Sequence, residues 1–161
     1  MSFRNPLCCQ IVSRGETNAD VLNNYRDDRG YNAVHIAVFN GHIDCLNYLV
    51  ECGADINKDN RGSTPLRIAI LANYSESMKI LIQCGANIRK DSFGNTPLHY
   101  ACSFNMKEAI KYLIYSGANI YDGNNEGRTP IDMSNPETLR DYVLKCYEEC
   151  QAFDIKDPGF E

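Results

Sequence analysis

The chain has 161 residues and a formal net charge of −5, from 16 Lys and Arg against 21 Asp and Glu. Hydrophobic residues make up 43 %, enough for a packed core and too many for a disordered chain. With a mean hydropathy of −0.40, no apolar run approaches the ~18 residues of a membrane span. A pI near 5.2 argues against a general nucleic-acid binder, which presents a basic face. The N-terminal segment lacks the apolar stretch of a signal peptide. The eight cysteines, Cys8, Cys9, Cys45, Cys52, Cys84, Cys102, Cys146 and Cys150, are therefore expected as thiols in a reducing cytoplasm or nucleus rather than as a disulfide framework.

Residues 1–26 are expected to form an N-terminal helical cap. Asn5-Pro6 pairs an N-cap residue with a proline at the first helical position. Leu7, Ile11 and Val12 form an apolar stripe, Gly15 turns the chain, and Val21 and Leu22 anchor a shortened second helix.

Beyond the cap the sequence repeats. Gly30, Gly62, Gly94 and Gly127 are spaced by 32, 32 and 33 residues, and Gly53, Gly85 and Gly117 each follow 23 residues later. The spacing predicts units 27–58, 59–90 and 91–123, a degenerate fourth unit with a C-terminal cap over 124–150, and a loose tail over 151–161. In each unit a hydroxyl N-cap and a proline open the first helix, at Thr64-Pro65, Thr96-Pro97 and Thr129-Pro130, with Asn32-Ala33 as the substitute in unit one. The first helices bury Val34, Ala37 and Val38, then Leu66, Ala69 and Ile70, then Leu98, Ala101 and Cys102. Turns at Gly41, Asn73 and Asn105 lead to second helices that bury Leu46, Leu49 and Val50, then Met78, Leu81 and Ile82, then Ile110, Leu113 and Ile114. Gly53, Gly85 and Gly117 fall where a left-handed C-terminal cap is needed. Pro136 should end the first helix of unit four early, and a last helix is expected from Glu137 to about Cys150, with Leu139, Tyr142, Val143 and Cys146 facing inward.

This pattern resembles the ankyrin repeat, whose 33-residue period and Thr-Pro-Leu-His signature are matched by Thr96-Pro97-Leu98-His99. The resemblance implies an all-α ankyrin-repeat solenoid of stacked helix-turn-helix units with projecting hairpin-like turns. It also implies a structural role for His35 and His99 at the signature position, filled in unit two by Arg67. His42, after the inter-helix glycine, matches another common family residue.

Little in the sequence points to catalysis. No histidine stands beside a nucleophile motif, no glycine-rich phosphate loop occurs, and the one cysteine pair at ligand spacing, Cys146 and Cys150, has no second pair to complete a zinc site. No enzyme activity, cofactor, catalytic residue or metal is expected. Structural thiols are the expected reading of the cysteines, with Cys8, Cys9 and Cys150 as the candidates for anything beyond packing. Asn57, in Asp55-Ile56-Asn57 with Leu49 eight residues before, has two readings: a turn asparagine bonded to its own backbone, or the substrate of an asparagine hydroxylase, which the resemblance implies.

The resemblance places a protein-binding surface on the hairpin tips and the exposed face of the first helices. By position this surface includes Arg29, Tyr31, Phe39, Asn40, Arg61, Leu71, Phe93, Phe104 and Arg128, with Tyr31, Phe39, Leu71, Phe93 and Phe104 expected as one patch. The expected function is a noncatalytic adaptor, scaffold or inhibitor, monomeric by itself, with a protein partner and neither nucleic acid nor membrane. The alternative is a regulatory subunit, such as a ubiquitin-ligase adaptor or transcription-factor inhibitor. The 17 asparagines and 10 tyrosines match the bias of AT-rich coding and point to a protist, parasite, insect or viral source. Because repeats are supported only by their neighbours, amide hydrogen exchange should be slowest in units two and three; slowest exchange in residues 1–26 would contradict this.

Overall fold

The computed structural model describes residues 18–134 and 137–153. The helices among them are α1 (Ala19–Asn24), α2 (Ala33–Phe39), α3 (Ile43–Glu51), α4 (Pro65–Leu71), α5 (Ser75–Gln83), α6 (Pro97–Ser103), α7 (Lys107–Tyr115) and α8 (Glu137–Phe153). Extended pairing among these residues is confined to one isolated bridge, Asn60 with Ser63. The chain divides into two compact units, one through Ala86 and one from Asn87.

Local chemistry sets each helix pair. The Thr64 hydroxyl accepts from the Arg67 N–H at 3.2 Å and the Asn32 side chain from the His35 N–H at 3.0 Å, so both residues cap free donors of a first turn. Pro65 and Pro97 begin their helices, where a missing N–H costs nothing. The first helices end at Gly41 (φ 67°), Asn73 (φ 57°) and Asn105 (φ 55°). There the N–H groups of His42, Tyr74 and Met106 donate to the carbonyls of Ala37, Ala69 and Ala101 at 2.8–2.9 Å, which closes a Schellman cap. The same closure ends the second helices, where Ala54, Ala86 and Ala118 donate to Leu49, Leu81 and Leu113 and are themselves buried.

In the first unit α2 packs on α3 and α4, α4 on α5, and α3 on α5. Val34, Ala37, Val38, Leu46, Leu49, Leu66, Ala69, Ile70, Met78 and Leu81 are almost wholly buried between them. Val50 and Ile82 stay half-exposed. The alanines let the helices approach closely; a larger side chain there would overpack the contact. Within the proposed N-terminal cap, Leu22 of α1 is buried, but Val21 points to solvent at 48 % exposure. In so short a helix these neighbours lie on different faces, and one faces the core. Asn5, Pro6, Leu7, Ile11, Val12 and Gly15 lie outside the described residues.

In the second unit α6 packs on α7 and α7 on α8. Leu139, Val143 and Cys146 of α8 are buried and Tyr142 is half-buried, its hydroxyl 3.4 Å from the Lys107 carbonyl. The helix runs past Cys150 to Phe153. Unit four's first helix does not form: residues 130–133 are successive turns. Asp132 takes the place of the signature histidine and accepts from the Thr129 N–H at 2.9 Å and the Thr129 hydroxyl at 2.7 Å. Those donors hold its carboxyl below the ordinary value. Pro136 lies outside the described residues.

The signature histidines are buried hydrogen-bond nodes. His99 Nδ1 accepts from the Thr96 N–H at 3.0 Å, which fixes the tautomer, so Nε2–H donates to the Arg128 carbonyl at 3.0 Å. His35 lies with Nδ1 2.6 Å from Asn32 Oδ1 and Nε2 2.8 Å from the Ser63 carbonyl. Two acceptors face that ring, so its neutral form satisfies one of them at a time. Arg67 instead bonds back to the Gly62 carbonyl of its own tip at 2.6 Å.

Burial lowers both imidazoles below their ordinary value. The unfolded chain then binds protons first as the pH falls. Stability contributed by these rings is complete above about pH 6.5 and is lost as the pH drops through the folded-state values. Thermal melts should show a midpoint that falls from roughly pH 7 to 5, with a shallower fall in His99→Gln; a flat wild-type profile would contradict this. Glycine positions offer a second check. A Cβ on Gly94 (φ 76°) would collide with Asn125 Oδ1 and sit 2.6 Å from the Asn125 backbone N, whereas one on Gly85 (φ 86°) meets nothing within 4 Å. Urea titration should give about 1–2 kcal/mol for Gly85→Ala, from backbone strain alone. Gly94→Ala should cost about 2 kcal/mol more, from overlap with backbone.

Candidate partner-binding surface

The tips are built on side chains that replace sheet pairing. In the first, Asp27 Oδ1 accepts from the N–H groups of Arg29 at 3.0 Å and Tyr31 at 2.8 Å. Asp91 does the same for Phe93 and Asn95, both at 2.9 Å, and Asn124 for Glu126 and Arg128, both at 3.0 Å. The second tip differs. Asn60 and Ser63 exchange both backbone bonds around Arg61 (φ 53°) and Gly62 (φ 82°), the dihedral pattern of a type I′ hairpin turn. Asparagines tie successive tips within each unit: Asn60 Nδ2 donates to the Arg29 carbonyl at 2.9 Å, and Asn125 Nδ2 to the Ser92 carbonyl at 3.1 Å.

On the first unit, Phe39 at the end of α2 is 51 % exposed and Leu71 at the end of α4 is 42 % exposed. Tyr31 is only half-exposed, because its ring stacks on His35 at 5.2 Å between centroids. The Arg29 guanidinium lies 5.4 Å from the Tyr31 centroid and 5.4 Å from that of Phe39, while Nε donates to Asp27 Oδ2 at 3.2 Å. Arg61 is exposed at its tip. Asn40 spends its amide on the helix end, donating to the Ile36 carbonyl at 2.8 Å. On the second unit, Phe93 at the tip and Phe104 at the end of α6 are 60 % and 58 % exposed. Arg128 pairs with Glu126 of its own tip. Phe39 and Leu71 are thus exposed on the first unit and Phe93 and Phe104 on the second, whereas Tyr31 is partly core. Arg29 and Arg128 each carry a carboxylate partner two residues before them.

Two exposed rings were not expected. Tyr74, beside the Gly41 turn, follows the positive-φ Asn73, and Tyr121 stands edge-on to Tyr147 at 5.7 Å. The signal for Tyr121 was its register: Asn57 and Arg89 hold the same place in the earlier repeats. Asn57 is exposed, with its N–H donating to Asp55 Oδ1 at 2.9 Å and its amide reaching the Gly85 carbonyl at 3.4 Å.

Burial pushes the Cys102 thiol up to about 11 and raises Cys146 as well, which disfavours the nucleophilic thiolate. Cys150 lies 3.7 Å from the Ile114 carbonyl. Two expectations need correction. Cys45 is disulfide-bonded rather than a free thiol, and Cys84, at the end of α5, is exposed rather than packed. Cys8 and Cys9 lie outside the described residues. Among the described residues no group of three His, Cys, Asp or Glu is placed to hold a metal, and no helix is long and apolar enough to cross a membrane.

Helix pairs capped by Thr-Pro, closed by Schellman turns and joined through projecting tips define a repeat protein of the ankyrin type. A family model for ankyrin repeats (3 copies) matches residues 2–92 and 84–135, and the chain belongs to that family, with the all-α ankyrin-repeat solenoid as its fold class. Among solved structures it is similar to the ankyrin repeat domain of Bcl-3, described as a unique member of the IkappaB protein family, with a TM-score of 0.72 and 28 % identity. That likeness covers 76 % of this chain and 55 % of the other, so the chain spans about half the length of that domain. No curated protein matches the sequence.

Proposed function

We propose that the chain is a noncatalytic protein-interaction module that engages a protein partner through the tips and the exposed face of the first helices. The observation that carries this reading is the exposure of Phe39, Leu71, Phe93 and Phe104 at tip and first-helix positions, on backbone already satisfied by its own caps. Large apolar groups on a soluble surface cost hydration free energy unless a partner covers them. Supporting it, ankyrin repeats are protein-interaction modules. The repeat boundaries at residues 27, 59, 91 and 124 and the cytoplasmic or nuclear setting belong to the same proposal.

A second reading, inhibition of a transcription factor, is favoured by the likeness to an IkappaB-family domain. It uses the same surface and names a narrower partner class; co-purification from native cells, followed by mass spectrometry, distinguishes the two.

The test is a double variant. Phe39→Ala with Phe104→Ala should weaken capture of the co-purified partner at least about tenfold, as loss of exposed aromatic anchors does. The melting midpoint should stay unchanged, since neither ring is in the core. Unchanged affinity would refute the use of this face.

A further inference from the structure

We infer that the tip face of the first unit is a receptor for an acidic peptide segment: two carboxylates about three residues apart, bracketing an aromatic or aliphatic side chain. The inference rests on the interaction function proposed above and names the chemistry of the partner.

Arg29 is the first anchor. Its guanidinium lies 5.4 Å from the centroids of the Tyr31 and Phe39 rings, its Nε donates to Asp27 Oδ2 at 3.2 Å, and the side chain is 60 % exposed. Tyr31 is in turn backed by the buried His35 ring. The two terminal nitrogens have no hydrogen-bond partner among the described residues. With Nε occupied, the guanidinium offers its paired Nη groups, whose geometry matches the two oxygens of a carboxylate. The orientation is set before binding, so little side-chain entropy is lost on contact.

Arg61 is the second. It occupies the first central position of its tip at φ 53°, where glycine, asparagine or aspartate is the favoured occupant. Its exposed side chain makes no ion pair or hydrogen bond among the described residues that would account for its presence there. The Asn60 amide, donating to the Arg29 carbonyl, holds this tip beside the first. The helices that follow the two tips, α2 and α4, pack on each other. Packed helices stand ~8–10 Å apart, a span that extended chain covers in about three residues. Between such carboxylates an apolar side chain would meet Phe39 and Leu71.

The local charge selects a carboxylate over a phosphate. Asp28 and Asp59 are exposed on the same two tips, beside Arg26, Arg29, Lys58 and Arg61. With Asp27, which already engages Arg29, four cationic groups face three carboxylates, so the local charge is close to balanced, on a chain of net charge −5. A monoanion gains from the aligned fork, whereas a dianion meets more repulsion from those aspartates.

The test is selection of phage-displayed random dodecapeptides on the intact chain, with the winners resynthesised for fluorescence anisotropy. Enriched sequences should carry two Asp or Glu three residues apart around an apolar residue. Their affinity should fall about tenfold with Arg29→Ala, Arg29→Lys or Arg61→Ala, and with rising salt. Arg29→Lys keeps the charge and loses the fork, so it separates carboxylate recognition from general attraction, and thermal melts confirm that each variant is folded. Failure to enrich, enrichment of peptides without paired carboxylates, or winners indifferent to Arg29 would overturn the inference. So would winners that bind about tenfold tighter with phosphoserine in place of an acidic residue. If partner capture still depends on Phe39 and Phe104 in any of those cases, the interaction function stands and only the acidic partner is lost.

Discussion

A buried imidazole facing the carbonyl of the next tip is the contact on which the displayed surface depends. His99 donates from Nε2 to the Arg128 carbonyl, and His35 places Nε2 2.8 Å from the Ser63 carbonyl. The tips have almost no β-pairing to fix them. Each short helix pair also buries too little surface to stand alone. The histidine therefore does two jobs with one ring: it completes the cap of its own first helix and pins the following tip. At His99, where Nδ1 accepts from the Thr96 N–H and burial disfavours the charged ring, that joint is strongest when the imidazole is neutral.

With the backbone of three tips satisfied by Asp27, Asp91 and Asn124, side chains such as Arg29 and Phe93 are spared that capping duty. This separation explains how a fold so uniform in its caps carries a varied surface. Phe93 is exposed because Asp91 already holds its N–H. Arg29 is poised because Asp27 holds both its backbone and its Nε. The second tip reaches a similar projection by another route, a two-residue turn with Arg61 at positive φ.

Much of this was legible in the sequence because it is local. A Thr-Pro pair caps and starts a helix within four residues, and Gly41, Asn73 and Asn105 take the left-handed conformation just after a first helix. Most of the core of both helices follows from i, i+3, i+4 spacing, although Val50 and Ile82, at the same spacing, stay half-exposed. What escaped the sequence depended on neighbours across space. Val21 and Leu22 are equally apolar, yet only one faces the core. Tyr31 reads as a tip ring until His35 is found beneath it. Asn40 reads as a surface amide until its bond to the Ile36 carbonyl is seen. The pairing of Arg29 with Asp27 and of Arg128 with Glu126 is an i, i−2 spacing present in the text of the chain; only the turn geometry brings those groups together.

No apolar run is long enough for a membrane-crossing helix, and the acidic balance made a general nucleic-acid binder a poor reading. The 32–33-residue period determined the fold, since capping and glycine dihedrals are encoded residue by residue. The net charge of −5 left no sign of a cationic face. Tertiary structure set Arg29 near the Tyr31 and Phe39 rings and joined its tip to that of Arg61. Net charge is a sum over the chain, whereas recognition depends on which few charges are brought together and oriented.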